Sequence, residues 1–228
     1  MAGLSGRKAE AARNDGVILD AARTVFIRTP EAPMSAVATE AGVGVGALYR
    51  RYAGKEQLLQ TLCAEGLGRF IAVAEAALAG TGGPWVAFAD FVRGVVESDV
   101  HALTVRLAGT FTPTAELHAL AARATALGDE VFRRARDAGA LRPGFEATDV
   151  PMLFEQITAI RLGDPARTAA LRGRYLALLL DGVRADAATG ALPATPPSPA
   201  ELADRWRPTR TAETGPATKE RRDSARGN

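Results

Sequence analysis

The apolar residues of this chain recur every three or four positions in the segments between its glycine and proline residues. Ile18, Ala22 and Phe26 show the pattern near the start, and Leu176 and Leu180 show it much later. Such spacing places apolar side chains on one face of a helix, whereas a half-buried strand needs them at alternate positions. No segment alternates in that way between turns, so we predict an all-α protein of about nine helices.

Glycine and proline residues mark the ends of the predicted helices. A proline cannot donate a hydrogen bond inside a helix, and a glycine suits the residue after the last turn. The first helix is predicted from about Asn14 and ends before Pro30. The later ones cover 34–40, 45–52, 55–79, a helix starting near Trp85, 99–110, 114–138, 148–161, 166–188 and a short helix over 199–206 whose Leu202 and Trp206 dock on the body.

Composition excludes several classes of protein. With 47% hydrophobic residues among 228, the chain can build a core and is too apolar to be disordered. Cys63 is the only cysteine, so an intrachain disulfide and a four-cysteine zinc site are excluded. No apolar run reaches the roughly 20 residues of a membrane helix, and the N-terminal residues lack an apolar signal segment. We therefore expect a cytoplasmic protein with no membrane association.

Residues 35–62 carry the most informative pattern, two short helices joined by a turn at Gly42 and followed by a long helix. One set of side chains is predicted to pack against the first helix: Val37, Ala38, Ala41, Val43, Leu48 and Tyr52. The opposite side of the second short helix is left exposed, with Gly44, Val45, Gly46, Ala47, Tyr49, Arg50 and Arg51. A short helix that presents its N-terminal half outward has the geometry that enters the major groove of DNA.

At these residues the chain resembles the tetracycline-repressor-like (TetR) family of transcriptional regulators. The matching blocks are Ile18-Leu19-Asp20-Ala21-Ala22 with Phe26, Val37-Ala38 with Ala41-Gly42-Val43, Leu48-Tyr49-Arg50-Arg51-Tyr52, and Lys55-Glu56 with Leu58-Leu59. The resemblance is strong over 14–62 and moderate in the number and lengths of the later helices. It implies a three-helix helix-turn-helix domain followed by a helical domain for ligand binding and dimerisation.

The resemblance also implies how this chain would contact a double-stranded DNA operator. Tyr49 would lie against the DNA backbone or a base edge, while Arg51 and Lys55 would meet phosphates. The base-reading positions are occupied by Gly44, Val45, Gly46, Ala47 and Arg50, and Ser35 is expected to contact the backbone. Val45 can offer only apolar contact, so Arg50 is the best direct reader of guanine.

Other interpretations of these side chains remain open. Tyr52 is interpreted as a core aromatic, whereas Tyr49 is not. Arg50 and Arg51 are also compatible with an ordinary solvated helix face, and the basic N-terminal residues with an uninvolved tail.

The last predicted helix of the helical body, 166–188, is apolar on nearly every side, from Leu171 and Tyr175 to Leu180 and Val183. That exceeds what one monomer's core requires, although a central core helix would show the same pattern. In the resembled family the last two helices form a four-helix bundle across the dimer axis. The resemblance therefore implies a homodimer through 148–161 and 166–188.

The middle helices are expected to line a pocket for an unknown small-molecule effector. The predicted lining is apolar at Trp85, Phe88, Phe91, Val92, Phe111, Phe132, Phe154 and Ile157, with polar groups at His101, His118, Gln156 and Thr158. Each of these aromatic residues could instead belong to the core, and either histidine to the surface. The two histidines lack metal-ligand spacing, so we expect neither a metal nor a cofactor.

Together these features predict a ligand-responsive repressor that a small molecule releases from a palindromic operator. The alternatives are a helical scaffold, or a small-molecule-binding protein, without sequence-specific DNA binding. An enzyme is disfavoured because no phosphate loop and no Ser/His/Asp or Cys/His constellation is found. Cys63 is interpreted as a buried small apolar residue rather than a redox sensor.

These predictions divide the chain into four regions. They are a flexible basic arm (1–13), the helix-turn-helix domain (14–54), the helical ligand-binding and dimerisation domain (55–188) and a proline-rich, partly disordered tail (189–228).

Overall fold

The computed structural model describes the backbone of residues 2–99, 107 and 109–204, and the side chains of these residues from Asp15 onward. Within these residues it contains nine α-helices and no strand, only an isolated bridge between Leu141 and Arg184. The helices are α1 (Ala2–Arg28), α2 (Met34–Glu40), α3 (Val45–Arg51), α4 (Lys55–Ala79), α5 (Gly83–Glu97), α6 (Ala115–Asp137), α7 (Val150–Thr158), α8 (Pro165–Val183) and α9 (Pro199–Asp204). The all-α prediction is confirmed.

The turn between α2 and α3 fixes the angle at which α3 leaves the body. Gly42 has a φ of +66°, a left-handed conformation that favours glycine. The Val43 amide donates to the Ala38 carbonyl at 2.9 Å, which closes the end of α2. α3 is then anchored by Leu48, which is completely buried against the residues of α1 and α2.

The chain has two hydrophobic cores, and α4 contributes to both of them. Leu58 and Leu62, in the first half of α4, pack with Phe26 and Val37 of the helix-turn-helix unit. Ala74, in the second half, packs with the core formed by α5, α6, α7 and α8. One continuous helix therefore belongs to both cores.

The second core is built largely from phenylalanine and valine side chains. Phe88, Phe91 and Val95 of α5 are at most 2% exposed. Helices α4 and α5 approach closely at Gly94, where an added Cβ atom would lie 2.7 Å from the Val73 side chain. Capping side chains begin the flanking helices. The Thr114 hydroxyl accepts the Leu117 amide of α6 at 3.2 Å, and the Asp164 carboxylate accepts the Arg167 amide of α8 at 2.8 Å.

The N-terminal segment differs from the prediction, because residues 2–13 are helical and belong to α1 rather than to an arm without structure. The segment lacks apolar periodicity but is rich in alanine, arginine, lysine and glutamate, the residues with the highest helix propensity. Residues 2–13 therefore continue the helix because of their helix propensity and their direct connection to the part of α1 that packs on the core, although they have no apolar face of their own.

The remaining helix bounds differ only in detail from the predicted ones. The segment predicted as 148–161 begins with a 3₁₀ turn at Ala147–Asp149 and continues as α7, and a second 3₁₀ turn at Ala185–Ala187 follows α8. Most of the predicted helix 99–110 and Trp206 lie outside the described residues. In the described part of the chain, no helix combines the length and apolarity needed to cross a membrane.

Candidate nucleic-acid interface and ligand cavity

The outer face of α3 projects from the body. Tyr49 is 52% exposed and Val45 is 41% exposed, which are high values for large apolar side chains. Arg50 and Arg51 are exposed beside them, and Ser35 is exposed on α2. Gly44, Gly46 and Ala47 add little side-chain bulk to this face, so its backbone is open to a close approach.

Tyr52, at the end of α3, faces the interior. Only 5% of it is exposed, and burial raises the pKa of its phenol above the ordinary value. The core interpretation of Tyr52 therefore agrees with its position, and Tyr49 remains the aromatic side chain on the outer face.

The two arginines of α3 differ in how they are held. Arg51 forms an ion pair with Asp15 of α1, and this hydrogen bond raises the pKa of the Arg51 guanidinium. Arg50 makes no hydrogen bond or ion pair with any described residue. A free, exposed guanidinium on a projecting helix keeps all of its donors for an external partner.

Lys55, the predicted phosphate contact at the start of α4, is already engaged within the protein. Its ammonium donates to the Pro30 carbonyl at 2.9 Å and lies 5.3 Å from the centre of the Phe26 ring. Glu31 is 3.9 Å away. Lys55 thus holds the loop between α1 and α2 against α4, a role that sequence analysis did not identify.

A cavity of about 290 Å³ lies among α4, α5, α6 and α7. Four of the predicted ligand-binding residues line it: Phe88, Phe91, Phe132 and Phe154. Other lining residues were not predicted from the sequence, among them Leu67, Phe70, Thr125, Gly128, Asp129 and Pro151. The apolar spacing of α4 would have pointed to Leu67 and Phe70, but nothing in the sequence distinguishes Asp129 from the other charged residues of α6.

The other predicted ligand-binding residues that the structure describes do not line this cavity. Val92 and Ile157 are buried in the second core. Trp85 lies at the edge of that core, and the Arg184 guanidinium is 5.2 Å from the centre of the Trp85 ring. Phe111 packs against the first core instead, because the loop before α6 crosses the start of α4. His101 lies outside the described residues.

The predicted polar ligand contacts also lie elsewhere. His118 and Gln156 are exposed, because each is on the outer side of its helix. Thr158 is buried, but its hydroxyl donates to the Phe154 carbonyl at 2.8 Å within α7. A hydroxyl bonded to its own helix has no donor left to orient a ligand.

Cys63 is buried in the first core, and burial raises the pKa of its thiol to about 12. The thiol therefore stays protonated at neutral pH, as expected for a structural cysteine. Within the described residues, no group of three or more histidine, cysteine, aspartate or glutamate side chains could hold a metal ion.

One side of α8 carries apolar residues that no other described part of the chain covers. Leu178 is 59% exposed and Tyr175 is 48% exposed, while Leu176 and Leu180 on the other side are buried. Helix α7 packs beside α8 through Arg172, which donates to the Thr158 and Ile160 carbonyls.

Comparisons with known proteins agree with this architecture. The family model for bacterial regulatory proteins of the tetR family matches residues 18–62, and the model for the C-terminal domain of SbtR-like transcriptional regulators matches 83–185. The two models together match more than half of the chain. No curated protein matches the sequence.

Several solved structures share the fold. The regulator LfrR from Mycobacterium smegmatis, in complex with proflavine, is 23% identical with a TM-score of 0.58, and the match covers 79% of this chain and 99% of that one. KstR2 of Mycobacterium tuberculosis, a ketosteroid transcriptional regulator, is 19% identical over 75% and 94% of the chains, with a TM-score of 0.56. SCO0520 from Streptomyces coelicolor is 26% identical over 75% and 98%, with a TM-score of 0.51.

A helix-turn-helix unit joined to a larger helical domain defines a DNA-binding transcriptional regulator. The chain belongs to the TetR family of transcriptional regulators.

Proposed function

We propose that this chain is a homodimeric repressor that binds a palindromic operator through α3 and is released when a small molecule enters the cavity. The observation that supports DNA reading most strongly is the exposed face of α3, with Tyr49 and the unpaired Arg50. An arginine can donate two hydrogen bonds to one guanine, and Tyr49 can contact the adjoining backbone. Ser35, Arg51 and Lys55 are proposed as further backbone contacts, and the protein would act in the cytoplasm without catalysing a reaction.

Bonds between α4 and α6 support the proposed response to a ligand. α6 lines the cavity, and the loop before it is tied to the start of α4, where Gln60 donates to the Thr112 carbonyl at 2.9 Å and Glu56 accepts the Thr112 amide at 3.2 Å. Closer to the C-terminal end of α4, Arg123 of α6 pairs with Glu75 of α4. A ligand that displaces α6 would therefore also displace the helix that follows the DNA-reading unit, and would favour one orientation of that unit.

The exposed apolar residues of α8 support the proposed homodimer. A single α3 offers too few contacts for tight specific binding, so a helix-turn-helix protein usually pairs two copies on a symmetric site. Leu178 and Tyr175 would be buried if α7 and α8 met their twins across a two-fold axis.

The proposal is tested by selecting binding sites for the full chain from random double-stranded DNA. We expect a palindromic consensus with half-sites about one helical turn or a multiple of it apart. Gel-shift affinity for that site should fall steeply with salt, because phosphate contacts release counterions. Enrichment of no sequence, with only weak general binding, would contradict operator recognition and favour a helical scaffold.

Removal of the Asp15 carboxylate is expected to strengthen operator binding. Asp15 holds Arg51 and carries a negative charge beside the proposed path of the phosphates. Asp15→Asn should therefore raise affinity about threefold, as for the loss of one exposed charge interaction, and should steepen the salt dependence. Both quantities can be measured by fluorescence anisotropy over a series of salt concentrations.

Asp20→Asn is the matched control for this variant. Asp20 is an exposed aspartate on the same helix, and it pairs with Arg23 of α1 rather than with α3. Equal gains in affinity for the two variants would indicate a general charge effect and would contradict a specific role of the Asp15–Arg51 pair.

A further inference from the structure

We propose that the cavity among α4, α5, α6 and α7 binds an aromatic organic cation. This inference rests on the proposed function, since it names the chemical class of the effector. It depends on three properties of the cavity, which are its aromatic walls, its single carboxylate and its small number of polar groups.

The walls of the cavity are mainly aromatic. Five phenylalanines from four helices line it: Phe70, Phe88, Phe91, Phe132 and Phe154. Edge-to-face contacts join several of these rings, with Phe70 and Phe91 5.3 Å apart between ring centres, Phe91 and Phe154 6.2 Å apart, and Phe88 and Phe132 6.3 Å apart. Aromatic surroundings favour a flat apolar ligand, and the negative faces of such rings attract a cation within about 6 Å.

Asp129 is the only ionisable residue among those described as lining the cavity. It is exposed at the edge of the cavity and makes no hydrogen bond or ion pair with any described residue. The lack of a partner distinguishes Asp129 from its neighbour on α6, because the adjacent Glu130 pairs with Arg133 and Arg134. Arg133, one turn after Asp129, also pairs with Asp137.

The arginines of α6 therefore leave the Asp129 carboxylate uncompensated. An unpaired carboxylate attracts a cation and repels an anion, and the apolar walls beside it weaken the screening by water. A positively charged ligand in the cavity could therefore pair with the Asp129 carboxylate.

Polar groups for a strongly hydrated ligand are scarce in this cavity. The lining side chains are mostly apolar, and Thr125 supplies the only side-chain hydroxyl among the described lining residues. A small, strongly hydrated cation would lose its water without replacement. A volume of about 290 Å³ equals that of roughly ten water molecules, which suits a ligand of about two fused rings.

The test compares three two-ring compounds of similar size, using the full chain without DNA. N-methylquinolinium is a permanent cation, 1-methylnaphthalene is neutral and 1-naphthoate is an anion. Isothermal titration calorimetry is expected to give the tightest binding for the cation and the weakest for the anion. The preference of the protein for the cation over the neutral compound should be at least threefold.

Asp129→Asn tests the contribution of the carboxylate. It should lower the affinity for N-methylquinolinium about three- to fivefold and leave that for 1-methylnaphthalene unchanged. Glu116→Gln, a loss of the same charge from the first turn of α6, lies outside the cavity and releases no arginine among the described residues, so it should change neither affinity. The effect of Asp129→Asn should also shrink at high salt, because an exposed carboxylate is screened.

Binding of the anion or the neutral compound as tightly as the cation would overturn the proposal, as would binding of none of the three. An Asp129→Asn protein with an unchanged preference for the cation would also overturn it. Because no DNA is present, these outcomes are independent of operator recognition. Failure of the proposed function would instead appear as the absence of any selected DNA site.

Discussion

Arg50→Ala should lower operator affinity about a hundredfold. Arg50 is exposed on α3 and has no partner among the described residues, so its guanidinium is free to bind a guanine edge. A bidentate contact of that kind contributes about 1–3 kcal/mol, and a dimer would lose two of them. Competition gel shifts on the selected site, at one fixed salt concentration, measure the change.

Two further variants separate base reading from simple charge. Arg50→Lys keeps the charge but loses the planar pair of donors, so it should weaken binding and also relax sequence preference at one position of each half-site. Arg93→Ala removes the same charge from α5, where Arg93 pairs with Asp90, and should leave operator affinity unchanged. An Arg50→Ala protein within twofold of the wild type would show that α3 is not the reading helix.

Local signals in the sequence were sufficient to place most helices. The predicted helix over 34–40 is α2, because Pro33 and Gly42 mark its two ends. The N-terminal residues were the exception, since a helix formed by propensity alone carries no apolar face to detect.

The cavity was harder to predict because it depends on how helices cross. Phenylalanines could be proposed from their type, but only the packing of α4 against α6 decides that Phe132 lines the space. The loop before α6 crosses the start of α4, and this places Phe111 against the first core. Asp129 resembles a solvated surface residue in the sequence, and its importance follows from the ion pairs that its neighbours make. Contacts between residues far apart in the chain therefore decide the site.

The contact between Arg172 of α8 and helix α7 also joins residues that are far apart in the chain. It supports the proposed dimer surface. Arg172 of α8 is 8% exposed and donates to the Thr158 carbonyl at 2.7 Å and the Ile160 carbonyl at 3.1 Å. It also pairs with Asp99, just after α5, at 2.9 Å. One guanidinium thus joins three segments, and it sets the relative position of the two helices proposed to meet their twins.

Arg172→Ala should therefore destabilise the fold by about 3 kcal/mol. The variant leaves Asp99 without its cation and two nearly buried carbonyls without their donor, which costs more than the ion pair itself contributes. We place the loss at the lower end for buried pairs because the Asp99 side chain is 27% exposed and regains some water. Urea denaturation at one fixed protein concentration is the measurement, since the proposed dimerisation would make the apparent stability concentration-dependent.

Two variants with smaller expected losses of stability serve as comparisons for Arg172→Ala. Asp99→Asn keeps an acceptor for Arg172 and suits the φ of +50° at this position, so it should cost only about 1 kcal/mol. Arg93→Ala breaks an exposed pair on α5 and should cost less than about 1 kcal/mol. If Arg172→Ala were no more destabilising than Arg93→Ala, the guanidinium would not hold α7 to α8. The position of the proposed dimer surface would then depend on apolar packing alone.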